Sequence, residues 1–409
     1  MIDQRTPTDV RENVSRAYAR AIEKKSPAAS CCGGSSCGTA GVASEAAEGA
    51  DRGYGPELAK VPESAAGSSF GCGNPLAFAG VRRGETVLDL GSGAGRVCFV
   101  AAKRVGPRGA VIGVDMNDAM LEVAERNRPV VAERLGHDVV RFVKGRIQDL
   151  RLDVAALDAR LAATPVTSTA ALSELDAALA RQRQESPLVA DESIDLVVSN
   201  CVLNLVREED KRVLFSEIHR VLKRGGRVAI SDIVVDEDLP ASMKNDPELW
   251  SGCLSGAFRE DRFLAAFEEA GFHAIEIESR GDAPWREIDG YEFRSITVTA
   301  RKGKDGPCWE RNQAVVYRGP WKEVLDDDGH RLRRGVRTAV CDKTFRILTD
   351  APYADQTIGI EPYVEIPLED AAPFSCAGES SVRSPRQTKA GGSAPAVETS
   401  DSCGPEGCC

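Results

Sequence analysis

Three cysteines stand where a fold places chemistry. Cys201 follows the apolar run Asp195-Leu196-Val197-Val198-Ser199-Asn200, and Cys72 and Cys253 lie beside Gly-rich or small-residue turns. The run before Cys201 reads as a buried strand, and buried parallel strands put ligand sites at their carboxyl ends. Thiolates select soft centres over hard ones. The four histidines, His137, His219, His273 and His330, make no zinc spacing with the cysteines, so any soft-centre chemistry falls to sulfur. Thirteen cysteines in 409 residues with no secretory signal argue for metal, redox or packing roles rather than a disulfide scaffold.

Positioning such thiols needs a framework. From Val81 to about Ala300, strands alternate with helices. Thr86–Leu90, Ala110–Asp115, Val139–Val143, Ile194–Ser199 and Arg227–Ile233 are expected strands, and Ala274–Glu278 and Phe293–Ala300 are expected to close the sheet. Gly95–Val105, Asp118–Leu135, Glu208–Leu222 and Arg259–Ala270 are expected helices. This order predicts an α/β fold, a parallel sheet with helices on both faces. Arg151–Asp191, with Leu and Ala at helical spacing, reads as a helical insertion at the sheet edge. The expected domains are residues 1–69, an N-terminal helix (Val10–Lys25) and a flexible Cys-containing segment; 70–303, the main α/β domain; 304–372, a small strand-rich domain; and 373–409, a disordered Cys-rich tail.

The turn Asp89-Leu90-Gly91-Ser92-Gly93-Ala94-Gly95 joins the first strand to the first helix. Its glycines allow backbone to approach a ligand. The spacing is G-x-G-x-G, not the G-x-G-x-x-G of dinucleotide folds. Asp89 suits a cationic ligand group better than a pyrophosphate. The second strand ends in Asp115-Met116, an acid for ribose hydroxyls and a thioether for an adenine face. In Ile147-Gln148, after the third strand, an amide is placed to read the adenine edge. Together these elements resemble the Rossmann-like class I S-adenosylmethionine-dependent methyltransferases.

The resemblance narrows at the thiols. Ser199-Asn200-Cys201-Val202-Leu203-Asn204, Leu249-Trp250-Ser251-Gly252-Cys253 and Phe70-Gly71-Cys72-Gly73 resemble motifs of the arsenite methyltransferases, and Cys37 matches the family's N-terminal cysteine by position. The segment Gln313-Ala314-Val315-Val316-Tyr317-Arg318-Gly319 resembles the family's C-terminal domain. The insertion is longer than in animal and algal members, and Gln148 stands where many carry Glu. The resemblance implies that Cys72, Cys201 and Cys253 hold arsenic(III), with an N-terminal thiol, Cys37, Cys31 or Cys32, as a redox partner of Cys72. It implies that S-adenosylmethionine is held by Asp89, Gly91, Ser92, Gly93, Gly95, Asp115, Met116, Ile147, Gln148 and Asn200. It also implies thioredoxin or glutathione as reductant. The arsenic lone pair carries no proton, so its methylation needs no general base.

Other readings stand beside this one. A methyltransferase for a carbon or oxygen nucleophile shares the fold but leaves the thiols unexplained. A thiol-based arsenic or metal sensor leaves the intact cofactor motif unexplained. Cys98 reads as a small apolar residue of the first helix, and Cys308, Cys341 and Cys376 as structural. The clusters Cys31-Cys32-x4-Cys37 and Cys403-x4-Cys408-Cys409 either capture arsenite or take no part in catalysis. A net charge of −11 argues against nucleic-acid or anionic-membrane binding. No apolar run has membrane-span length, and the expected location is the cytoplasm.

Overall fold

The computed structural model describes residues 54–66, 71–376 and 381–389. The chain divides into two compact units, residues 1–303 and 304–409. The expected helix Val10–Lys25 lies outside the described residues.

The first unit is built on β1 (Thr86–Leu90), α1 (Arg96–Val105), β2 (Ala110–Asp115), α2 (Asp118–Leu135) and β3 (Val140–Lys144). After β3 come α3 (Val154–Ala163), α4 (Thr169–Glu185), β4 (Ile194–Asn200), α5 (Glu208–Val221), β5 (Leu222–Val235), α6 (Glu260–Glu269), β6 (His273–Arg280) and β7 (Tyr291–Arg301). The sheet order is β3-β2-β1-β4-β5-β7-β6; β7 runs antiparallel to both of its neighbours and the other six strands run parallel. The short strands Phe258–Arg259 and Arg286–Ile288 extend it. Strand alternation divides the core in two. Leu88, Leu90 and Val197 enter one apolar layer, while Val87, Leu196 and Val198 enter the other. Both faces are therefore buried, as a near-continuous Val/Leu/Ile strand composition requires.

Helix ends follow local chemistry. The Asn117 side chain accepts the amides of Ala119 and Met120 at 3.0 and 3.3 Å, which starts α2, and left-handed Gly136 ends it. In the insertion, α3 and α4 have no buried residues. They are held at the edge by Lys144–Asp158 and Arg183–Asp149 ion pairs, both 2.8 Å.

The N-terminal boundary expected at residue 69 is corrected. Tyr54, Val61 and Ala65 belong to the core of the sheet's second layer, because their apolar groups cover α1 and α2.

The second unit contains β8 (Trp309–Glu310), β9 (Ala314–Tyr317), β10 (Glu323–Leu325), β11 (Arg331–Arg333), β12 (Arg337–Ala339), α7 (Asp342–Thr349), β13 (Thr357–Ile360) and β14 (Ala372–Pro373). Strand β9 pairs antiparallel with β12 and β13, β10 with β11, and β8 with β14. The core is Val315, Tyr317, Leu332, Val340, Phe345 and Leu348.

The tail expected to be disordered from residue 373 is also corrected. Val382 bridges to Thr338, and Pro385–Lys389 is helical. Buried Arg383 places one guanidinium nitrogen 2.7 and 2.8 Å from the Glu310 carboxylate oxygens. That ion pair ties down a segment whose polar composition alone reads as unfolded. Removing one partner of a buried pair costs about 3 kcal/mol. Arg383→Ala is therefore expected to destabilise the second unit by about this amount, read as a lowered denaturant midpoint, and to speed proteolysis after residue 376. An unchanged midpoint would mean that the tail does not brace this unit.

Candidate functional site

The thiols come from three distant segments and meet beyond the carboxyl end of the sheet. Cys201 directly follows β4, and its amide donates to the Ser231 carbonyl of β5 at 2.8 Å. The Cys253 thiol donates to the Cys201 carbonyl at 3.2 Å. The sulfurs of Cys72 and Cys201 and a carboxylate oxygen of Asp232 lie within 4.8 Å of one another. Cys253 joins through a hydrogen bond with the Cys201 side chain. None of the three is in a disulfide.

Two of these residues are held in an uncommon backbone conformation. Cys201 has φ 62° and Cys253 has φ 61°. Left-handed backbone costs an L-residue roughly 1–2 kcal/mol. It persists because neighbours fix it: buried Asn204 donates from Nδ2 to the carbonyls of Cys253, at 3.1 Å, and Ile233, at 2.7 Å.

Asn200 fixes the third thiol. Its Oδ1 accepts the amides of Cys72 and Gly73 at 3.0 and 3.2 Å, and its Nδ2 donates to the Gly73 carbonyl at 2.7 Å. The Ser295 hydroxyl donates to the Cys72 carbonyl at 2.8 Å. The loop approaches so closely that a Cβ at Gly71 would sit 2.6 Å from the Asn200 Cγ. The Asn200 side chain, expected at the cofactor, is engaged at both ends by the Cys72 loop.

The surroundings are apolar: Ile233, Val235, Leu239, Met243, Leu254 and Phe293 pack with Cys201 and Cys253. Burial, chiefly, with Asp232 and Cys253 nearby, raises the Cys72 thiol above its usual pKa. The hydrogen bond with Cys253 favours the Cys201 thiolate. The bond with Cys72, burial and Asp232 outweigh it, and that thiol is raised well above its usual value. The resting site thus holds neutral thiols. Asp232 is pushed up to about 7 by burial, against the backbone amides of Ile233 and Leu203, which donate to it at 2.8 and 2.9 Å. Buried Lys211, 3.8 Å above the Phe258 ring, also opposes that shift.

The second part of the site follows β1. Gly91 has φ 72°, and a Cβ there would lie 2.5 Å from Val202. Gly93 donates its amide to Asp115 at 2.8 Å, and left-handed Gly95 precedes α1. The Ser92 hydroxyl is buried without a hydrogen-bond partner. The buried Asp89 carboxylate accepts the Cys98 thiol at 3.2 Å. Burial raises Asp89 to about 7, Cys98 opposes this, and the Asp115 charge adds to it. A partnerless hydroxyl, an acid awaiting a counter-charge and glycine backbone at strand ends fit a polar, cationic ligand.

The other expected residues divide. Met116 is exposed and Gln148 half-buried beyond the strand ends. Ile147 is corrected, because its side chain packs into the core with Leu150 and Val189, which leaves only backbone to offer. Cys98 is corrected from simple packing to a hydrogen-bond donor for Asp89. Cys37, Cys31 and Cys32 lie outside the described residues. Sequence reasoning missed Asp232, Asn204 and Tyr54. A carboxylate inside the apolar run Ala229-Ile230-Ser231-Asp232-Ile233-Val234 was the signal for Asp232. Tyr54 is buried beneath Arg96, whose guanidinium lies 4.8 Å from its ring centre.

Comparisons with known proteins agree with this geometry. A family model described as a methyltransferase domain matches residues 82–179 and 174–271, and one described as a domain of unknown function matches 304–393. The chain is similar to the arsenite methyltransferase of Halobacterium salinarum, 36% identical over 74% of this chain and 69% of that protein. It is similar to that of Aquipseudomonas alcaligenes, 32% identical over 73% of this chain and 79% of that protein. Among solved structures, an arsenic(III) S-adenosylmethionine methyltransferase from Chlamydomonas reinhardtii matches with TM-score 0.51 and 30% identity, covering 78% of this chain and 97% of that one.

The Asn200 clamp generates a test. Gly71→Ala is expected to cost about 1–3 kcal/mol by overpacking against Asn200. Native-state alkylation of Cys72, followed by peptide mass spectrometry, should then speed several-fold. Unchanged labelling would mean that the clamp does not set the position of Cys72.

Proposed function

The chain belongs to the arsenite methyltransferases, and from that premise we propose that Cys72, Cys201 and Cys253 hold the arsenic while the turn after β1 holds the methyl donor. The enzyme methylates trivalent arsenic using S-adenosylmethionine. The observation that carries the site assignment is the convergence of three thiols and Asp232 in an apolar pocket beyond β4.

S-adenosylmethionine, when bound, supplies an electrophilic methyl group. Asp89 would meet its ammonium, the Gly91-Ser92-Gly93 backbone and the Ser92 hydroxyl would line its polar end, and Asp115 would accept from ribose hydroxyls. Met116 and Gln148 would flank the base, joined by the backbone of Ile147.

Arsenic enters as arsenite or as a thiol conjugate. From arsenite, each new arsenic–sulfur bond breaks one As–OH bond and one S–H bond and releases water; from a thiol conjugate, it breaks one As–S bond and one S–H bond and releases the carrier thiol. Asp232, with a pKa near ambient pH, takes the proton from a neighbouring thiol and returns it to the departing hydroxyl. No net proton is exchanged, so raised thiol pKa values do not oppose binding. Left-handed Cys201 and Cys253 present two sulfurs from rigid backbone, and Cys72 closes the pyramid from its clamped loop. The lone pair stays free, and the dry walls exclude competing water.

Methylation leaves pentavalent arsenic. Two electrons return it to the trivalent state as Cys37 and Cys72 close a disulfide, which thioredoxin or glutathione then reopens by exchange. This chemistry places the enzyme in a reducing compartment, the cytoplasm. None of the helices among the described residues is long and apolar enough to cross a membrane.

Cys201→Ser and Cys253→Ser are each expected to lower methylation of arsenite at least about 100-fold, the rate equivalent of roughly 2.7 kcal/mol. Cys72→Ser should retain turnover of monomethylated arsenite, which has one bond fewer to offer sulfur. Separation of arsenic species by chromatography reads both results. Normal arsenite turnover by Cys201→Ser would place the arsenic elsewhere.

The state of Asp89 gives a pH test. Its folded pKa of about 7 is raised, so it is protonated below that pH and cannot pair with an ammonium. Affinity for S-adenosylmethionine should therefore rise up to about tenfold per unit as pH climbs toward 7, then level off. Asp89→Asn should bind more weakly and show a flatter profile by titration calorimetry. A pH-independent wild-type affinity would remove Asp89 from the ammonium.

A further inference from the structure

We propose that the second unit carries its own three-thiol site, formed by Cys308, Cys341 and Cys376, that takes trivalent arsenic. The three sulfurs lie within 4.8 Å of one another, although the residues are more than thirty positions apart in sequence. The fold brings them together deliberately. Cys308 immediately precedes β8 and Cys376 follows β14, and these strands pair antiparallel, with the Phe374 amide donating to the Cys308 carbonyl at 2.8 Å. Cys341 caps α7, where its sulfur accepts the Thr344 amide at 3.4 Å and meets the Thr344 hydroxyl at 3.2 Å. Cys341 is fully buried and the other two are half-buried, so the cluster is partly open to solvent at Cys308 and Cys376.

The donor set selects the ligand. All three donors are sulfur, which suits a soft centre. Among the described residues, no histidine nitrogen or carboxylate oxygen joins the sulfurs within the same 4.8 Å span. Structural zinc sites take four protein ligands, whereas trivalent arsenic is complete with three sulfurs and a lone pair.

Arsenite condenses with the three thiols: three As–O and three S–H bonds break, three As–S bonds form, three waters leave, and no oxidation state changes. Dimethylarsinous acid keeps one bond for sulfur, so it can engage only one of the three thiols and loses the chelate; the site would therefore hold arsenite more tightly than the dimethylated species.

This inference does not depend on the assignment of Cys72, Cys201 and Cys253, and its test is read at other peptides. The full reduced chain is labelled in its native state with N-ethylmaleimide, with and without equimolar arsenite, and Cys308 and Cys376 are quantified by peptide mass spectrometry. Arsenite is expected to slow labelling of both at least tenfold, in the wild type and equally in the Cys201→Ser/Cys253→Ser variant. Dimethylarsinous acid at the same concentration should protect far less than arsenite, and Cys341→Ser should lose most of the arsenite protection. Labelling unchanged by arsenite would overturn the proposal. So would protection by zinc but not arsenite, or protection that vanishes with Cys201 and Cys253.

Discussion

One carboxamide organises the chemistry of the first unit. Asn200 ends the central strand β4, and both ends of its side chain are used on the loop that carries Cys72. The next residue, Cys201, continues the same strand into the pocket. A single strand end therefore fixes the separation of two sulfurs that are remote in sequence. The third, Cys253, is tied to the same point through the Cys201 carbonyl. Glycine at position 71 is the steric condition for this arrangement, since the loop lies against the amide with no room for a side chain.

The pocket and the donor end share that strand and its neighbour β1, yet their electrostatics are handled differently. Around Cys201 the acid is solitary and the rest is apolar, which keeps the thiols neutral and leaves Asp232 as the one group near ambient pKa. Beyond β1, burial and the Asp115 charge raise Asp89, and Cys98 relieves part of that burden with a hydrogen bond. A cationic ligand would complete the relief.

Legibility in the sequence followed physical range. The strands Thr86–Leu90 and Ala110–Asp115 and the helix Asp118–Leu135 match their expected bounds, because apolar periodicity and the Asn117 and Gly136 caps are local signals. Cys201 and Cys253 were legible from their flanking motifs. The roles of Asn200 and Cys98 were not, because each depends on a partner placed by the fold: the loop at Gly73 for one and Asp89 for the other. Arg383 shows the same limit. Its segment is polar and rich in proline and serine, and only the paired carboxylate of Glu310 makes it structured. The cluster of Cys308, Cys341 and Cys376 has no spacing that a motif could capture.

The left-handed backbone at Cys201 and Cys253 has an evolutionary consequence. Glycine adopts that conformation without strain, and a single nucleotide change converts a cysteine codon to a glycine codon. Replacement of either cysteine by glycine would relieve the backbone of that strain and keep the turn, while removing a sulfur from the pocket.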